Sequence, residues 1–297
     1  MTSEGATPRY FNGMTTVYYP RWMLLDDHTL LENGALAVAQ GRIVAAGTRR
    51  DVKRQRSDRV VNLSDTLLLP GLINLHTHLE EGPFRGYRET EGFVPHRLKR
   101  DTRIRQLDHH AAQSSIRLGA RELLTNGITT VCDTSRLGLS AGVLAEEPIR
   151  AWVHHEVHPS HDQSDPLALE ELFRRAAGSD GVDGNVIGPH ALHSMTPASI
   201  RQTINASREQ HYAWACHLAE SAEEVQAFSE RSGDLYSHIT RRGPWPHGAT
   251  DAGPMQYAIT QSLIPNGAVC FHCNYVAGHE LALLAAKQVS VVVCANY

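Results

Sequence analysis

Residues 69–78 read LPGLINLHTH, a proline–glycine turn, a short apolar run, and two histidines separated by one residue. In an extended segment successive side chains point to opposite faces, so His76 and His78 share a side. Neutral imidazole is a standard ligand of a divalent metal, with zinc–nitrogen bonds of about 2.0–2.1 Å. Two strand-end histidines making ordinary hydrogen bonds have the same spacing, so the pair alone leaves both readings open.

Downstream of this stretch, apolar strand-like runs alternate with helical ones. The runs are 71–76, 129–133, 151–157, 186–188, 213–217, 269–272 and 289–294. Strands alternating with helices are the pattern of a parallel sheet or barrel. Apolar positions from Ile104 through Leu107, Ala111, Ile116, Leu123 and Leu124 predict one helix over 103–126, stopped by Gly127. Thr196-Pro197 reads as an N-cap followed by proline at the first helical position. Ser221 and Glu224 predict a capping box, with Gly233 ending that helix, and residues 244–254 read as a turn-rich loop. Upstream, the first 65 residues read as short strands. Residues 34–47, GALAVAQGRIVAAG, are split by a Gln40-Gly41 turn, and the charged stretch 51–59 is read as solvated loop or edge.

The 297 residues carry 28 Lys+Arg against 32 Asp+Glu, a net charge of −4, with 41% hydrophobic and 20% charged residues. That balance excludes a disordered chain, and the slightly acidic charge argues against non-specific nucleic-acid binding. No apolar run approaches the roughly 20 residues of a membrane span. The start, MTSEGATPRYF, lacks the pattern of a secretory signal, so a cytoplasmic location is expected. Five cysteines suit reduced thiols better than a disulfide framework. Cys270 and Cys273 form a C-x-x-C without the second pair a structural zinc site needs. His154, His155, Glu156 and His158, with His161, do not form the helical HExxH motif, and alternation splits them between faces, so a structural role is expected. No phosphate-binding glycine loop is present.

The run PGLINLHTH, His217-Leu218-Ala219-Glu220, His272 at the end of VCFH, Pro189-His190-Ala191 and the final SVVVCANY occur in the order seen in the amidohydrolase superfamily, which the chain resembles over nearly its whole length. HLAE together with PHA is most similar to its cytosine-deaminase-like branch, which includes guanine, adenosine-type and aminofutalosine deaminases and triazine hydrolases. HLAESAEEV, Gly243-Pro244-Trp245 and FHCNYV look most like the aminofutalosine or adenosine-type group. The resemblance implies a TIM-like (β/α)8 barrel over 66–297, showing strands one to seven with the last strand missing, and the N-terminal part of a small β-sandwich over 1–65. It implies His76, His78 and His217 as ligands of one divalent ion. Zinc suits that set, with iron(II) or manganese(II) competing by availability. It implies Glu220 as proton shuttle, His272 as the group that holds the attacking hydroxide or polarises substrate, and His190 as a donor to substrate.

Three neutral histidines leave a metal an open position for water and lower that water's pKa towards 7. A carboxylic acid beside it takes the proton and passes it to a ring nitrogen, then to the departing amine. The expected reaction is release of ammonia from an amino-substituted heterocycle, such as an adenine-type nucleoside-like compound. The alternatives are a triazine-type chloride or amide hydrolase, or a truncated non-catalytic homologue. The expected partner is a small heterocycle, with no nucleic acid and no membrane, and a homodimer is the expected assembly. The superfamily's aspartate after strand eight has no counterpart before Tyr297, and neither Asp133 nor Asp251 sits where that aspartate belongs, so the chain reads as C-terminally incomplete.

Overall fold

Gln40 and Gly41 turn the chain as expected: both take left-handed backbone angles, φ 50° and 72°, which match a two-residue hairpin to the twist of its strands. In the computed structural model, which describes residues 15–87, 92–157, 166–241, 243–248 and 252–294, that hairpin joins β3 (Gly34–Ala39) to β4 (Arg42–Thr48). They follow β1 (Thr16–Leu24) and β2 (Leu30–Glu32) and precede β5 (Arg59–Leu68). The sheet order is β2-β1-β3-β4, with β5 parallel to β1. Val17, Ala35, Ala37 and Val52 form the core of this unit. The chain divides into two compact units at Gly71/Leu72, and β5 runs through residue 65.

The second unit contains, in order, β6 (Leu72–Thr77), α1 (Phe93–Arg105), α2 (His109–Thr125), β7 (Ile128–Ser135), α3 (Ser140–Leu144), β8 (Arg150–Val157), α4 (Pro166–Ala177), β9 (Gly184–Pro189), α5 (Pro197–Glu209), β10 (Ala213–Leu218), α6 (Ala222–Ser229), α7 (Gly233–Thr240), α8 (Pro254–Thr260), β11 (Val269–His272), α9 (Gly278–Ala286) and β12 (Ser290–Val292). Its seven strands lie in the order β12-β11-β10-β9-β8-β7-β6 with every pairing parallel, a nearly closed barrel. Each apolar run singled out in the sequence falls on one of these strands.

Strands covered on both faces are apolar throughout. Residues 214–218 of β10 are all buried: Trp214, Cys216 and Leu218 join the core shared with the helices, while Ala215 packs with Val186 and Phe271 in a separate cluster. The end strands of the row are more open, and Leu72, Ile73 and Leu75 on β6 are 50%, 61% and 52% exposed. Helix α5 buries Ile200, Thr203, Ile204 and Ser207, one stripe at helical spacing, and Thr203 accepts the Trp214 indole N–H at 2.9 Å. Gly188 is needed for close approach: a Cβ there would lie 1.9 Å from the Ala215 carbonyl oxygen.

Two helix expectations are corrected. The single helix over 103–126 is two helices, because the Asp108 carboxylate accepts the Ala111 N–H and starts α2 afresh. Gly233 does not end the helix that Ser221 caps: α6 stops at Ser229, and Gly233, at φ 85°, opens α7. Ser221 does accept the Glu224 N–H, but the Glu224 carboxylate reaches back one residue further than a capping box, to the Glu220 N–H. Thr196 caps α5 as expected, accepting from Ser199. His158, His161, Asp251 and residues 1–14 and 295–297 lie outside the described residues. Among the described residues no helix is long and apolar enough to cross a membrane.

Candidate active site

Parallel barrels present the C-terminal ends of their strands together at one mouth, and the site residues named from sequence sit there. His76 lies on β6, His190 directly after β9, His217 on β10, Glu220 just beyond it, and His272 ends β11. All five, together with His78, line one cleft of about 230 Å³. Phe271 stacks on the His76 ring at 4.0 Å. The loops beyond β10 and β11 are laced together: Cys273 N–H donates to Leu218 O, Tyr275 N–H to Ala219 O, and the Asn274 amide to Glu220 O. Ala219, His272 and Cys273 have positive φ of 48°, 70° and 53°, a conformation non-glycine residues adopt at a cost and which clusters at functional sites.

One nitrogen from each of His76, His217 and His272 lies within 4.8 Å of the other two. His217 Nδ1 is 2.7 Å from the His190 carbonyl oxygen. A carbonyl only accepts, so Nδ1 carries the proton and Nε2 keeps its lone pair for the cleft. That Nε2 lies 3.2 Å from His76 Nε2, close to the roughly 3.3 Å edge of a tetrahedron of nitrogens about 2.0–2.1 Å from a shared ion. Burial pushes the His76 imidazole down to about 3, with His272 and Arg100 adding to the effect, and holds His217 far below its ordinary value. Neutral rings with converging lone pairs fit a divalent cation. His78, the other ligand expected from sequence, is outside this tightest grouping. Its ring is 4.9 Å from His76 and 5.8 Å from His217, and its Nδ1 lies 3.7 Å from Glu81.

Glu220 is 6% exposed, and its Oε1 lies 3.6 Å from His272 Nε2. His190 stacks on His217 with ring centroids 4.6 Å apart, and its Nδ1 is 2.7 Å from Arg97 Nη2. Glu156, set among the histidines given a structural role, is buried at the same mouth, its Oε1 4.0 Å from His190 Nε2. Burial raises its pKa. His154 and His155 are also buried, and His155 Nε2 bonds Asn185 Oδ1 at 2.9 Å. Asp133 accepts from the Leu79 N–H and the Ser140 hydroxyl.

Sequence reasoning missed four contributors. Arg97 and Arg100, three apart on α1, both reach the cleft; Arg100 grips Glu81 with two hydrogen bonds. Glu80 is buried and accepts N–H groups from Arg136, Leu137 and Leu139. The only signal for these residues was a pair of acids two and three residues after His78 and an arginine spacing of three on a helix, too common a pattern to single out.

The chain is 23% identical over 275 residues to a 5-methylthioadenosine/S-adenosylhomocysteine deaminase of Halothermothrix orenii, covering 90% of this chain and 59% of that protein. It thus spans about three-fifths of that relative's length. Two solved structures share the fold: an adenosine deaminase from Xanthomonas campestris with bound zinc, at TM-score 0.74 and 20% identity over 95% of this chain and 63% of that one, and the aminofutalosine deaminase of Helicobacter pylori in complex with methylthio-coformycin, at TM-score 0.78 and 18% identity over 94% and 69%. The family model that matches residues 67–296 is that of the amidohydrolases, and with its histidines gathered at the mouth of a parallel barrel the chain belongs to the amidohydrolase family.

Proposed function

We propose that the protein is a metal-dependent aminohydrolase that releases ammonia from an amino-substituted heterocycle of the adenine-nucleoside type. The observation that carries this reading is the convergence of the His76, His217 and His272 nitrogens within 4.8 Å of one another, with the Glu220 carboxylate beside them. The deaminase names of the relatives support the same chemistry. His76 and His217 would hold the ion, with His78 and His272 the two further imidazoles in reach, and the zinc-bound structural neighbour favours zinc. Bound there, the ion supplies a Lewis acid that acidifies water at neutral pH.

The remaining work falls to the chain itself. Glu220 takes a first proton from the attacking water and delivers it to a ring nitrogen. It then takes a second from the hydroxyl added to the ring carbon and delivers it to the amine, which leaves as ammonia when the C–N bond breaks. His272 Nε2, facing that carboxylate, orients it and the attacking oxygen. His190 meets the heterocycle from the β9 side, and the walls of the cleft hold the ring over the histidines. The five free thiols suit a cytoplasmic location, where cysteines stay reduced.

Replacing Glu220 with glutamine tests the reading. The side chain keeps its shape, and the Glu220 backbone contacts to Glu224 and Asn274 survive. With the zinc-loaded chain and 5'-methylthioadenosine as probe, ammonia release should fall by about 10²–10⁴. Wild-type turnover that is unchanged by the substitution, or no turnover of any aminoheterocycle, would count against the reading and favour a non-catalytic homologue.

A further inference from the structure

The contact between Arg97 Nη2 and His190 Nδ1, at 2.7 Å, fixes more than a distance. A guanidinium has five donors and no acceptor, so His190 Nδ1 must be the acceptor. A neutral imidazole that accepts at Nδ1 carries its proton on Nε2. The ring plane is held, so the only movement left to it is a half-turn flip, which would take Nδ1 away from Arg97. The ring is stacked on His217 at 18° between planes, the His190 N–H is bonded to Val157 O, and the His190 carbonyl accepts both the His217 N–H and its Nδ1–H. The Nε2 end points into the mouth, 4.0 Å from Glu156 Oε1.

We propose that Arg97 is a positioning residue that locks His190 as an Nε2–H donor, so that the heterocycle edge bound against His190 must present an acceptor, a ring-nitrogen lone pair or a carbonyl oxygen. The same lock bears on the second group of donors at this mouth, Glu156, His190 and His217, whose candidate ligand atoms also lie within 4.8 Å of one another. With Nδ1 taken by Arg97 and Nε2 protonated, His190 has no free lone pair for a cation, and the His217 Nε2 serves one ion only. Arg97 thereby favours a single ion on the His76 side. The substrate half of this inference rests on the aminohydrolase reading; the assignment of the ring nitrogens does not.

The test uses the zinc-loaded full chain labelled with ring-¹⁵N histidine, the His190 signals being assigned by their loss in His190→Gln. Wild type and Arg97→Lys should both show a pyridine-like Nδ1 and a protonated Nε2, whereas Arg97→Met should show a mixed or reversed tautomer. A protonated Nδ1 in wild type, or the wild-type tautomer persisting in Arg97→Met, would overturn the proposal. With adenosine as probe, Arg97→Met should raise KM about tenfold, the scale of one hydrogen bond of roughly 1.4 kcal/mol, while kcat changes less and Arg97→Lys recovers most of the loss. An unchanged KM would overturn the substrate half. A correct tautomer in a chain that turns over no aminoheterocycle would sink the aminohydrolase reading and leave the ring assignment standing.

Discussion

Replacing Glu80 by glutamine changes one atom in the short turn that follows β6, yet it should cost the second unit a large part of its stability. Glu80 is 2% exposed. Its Oε2 accepts the N–H groups of Arg136 at 2.9 Å and Leu137 at 2.8 Å, and its Oε1 accepts that of Leu139 at 3.0 Å and the Ser135 hydroxyl at 2.6 Å. One buried carboxylate therefore satisfies three backbone donors where β7 runs into α3, and ties that corner to the segment carrying His76 and His78. Glutamine keeps one oxygen and turns an NH₂ group towards the other set of donors. In the less costly orientation that group faces Leu139 and Ser135, where the hydroxyl can rotate to accept while one N–H is orphaned. A buried unsatisfied donor costs about 1–3 kcal/mol, and bonds to a charged acceptor are stronger than neutral ones, so the total loss should be about 2–5 kcal/mol. That is a large share of the roughly 5–15 kcal/mol of a typical domain.

Urea unfolding followed by tryptophan fluorescence measures the loss. Because the chain has two compact units, amide exchange at Arg136, Leu137 and Leu139 should be read alongside it. Those three amides, in the turn after β7, should lose protection before the amides of β7 itself. A loss below about 1 kcal/mol with unchanged protection at all three would refute the reasoning.

Acid should destabilise the fold through its buried neutral histidines. Burial holds His247 at about 4 against an unfolded value near 6.5, so as pH falls the unfolded chain binds the proton first. The contribution is intact above about pH 6.5 and lost on the way down to about 4, up to about 3 kcal/mol; His247→Gln should make the acid limb of a stability–pH curve shallower by one proton, and an unaltered limb would contradict this. Chelation should lower the melting temperature and zinc restore it, a ligand at 100 times its Kd adding about 2.7 kcal/mol; scanning calorimetry should show no zinc-dependent shift in His217→Ala. Gly188→Ala should cost about 2–3 kcal/mol or more in chemical denaturation, because its Cβ would sit 1.9 Å from the Ala215 carbonyl oxygen and push β9 from β10. A variant as stable as wild type would show that the strands can part without penalty.

Much of the barrel was legible in the chain because buried parallel strands must be apolar on both faces, and such runs are visible without knowing what covers them. The run 269–272 became β11 with no change of boundary, and β10 gained only Leu218. The break at 106–108 was less visible: the apolar spacing continues across it, and only the Asp108 side chain, bonding Ala111, marks a new start. Gly233 was misread for a related reason, since a left-handed glycine can close one helix or open the next, and the turn from Glu230 to Ser232 decided which.

For the site, strand alternation put His76 and His78 on one side, and the ordered resemblance to the amidohydrolases nominated His190, His217, Glu220 and His272 beside them; spacing alone left the histidine pair open. Which imidazoles draw closest was decided only by the fold. His76 and His217 are 141 residues apart in sequence and 3.2 Å apart at their Nε2 atoms, and His272 enters their grouping in preference to His78. The roles of Arg97 and Glu80 also waited on the fold, because arginines and glutamates are abundant and usually solvated, and nothing local marks the few whose charge is taken out of water. Periodicity is a property of neighbours along a chain and can be read there; the direction of a hydrogen bond between α1 and the residue that follows β9 depends on how distant segments pack, and only tertiary structure sets that.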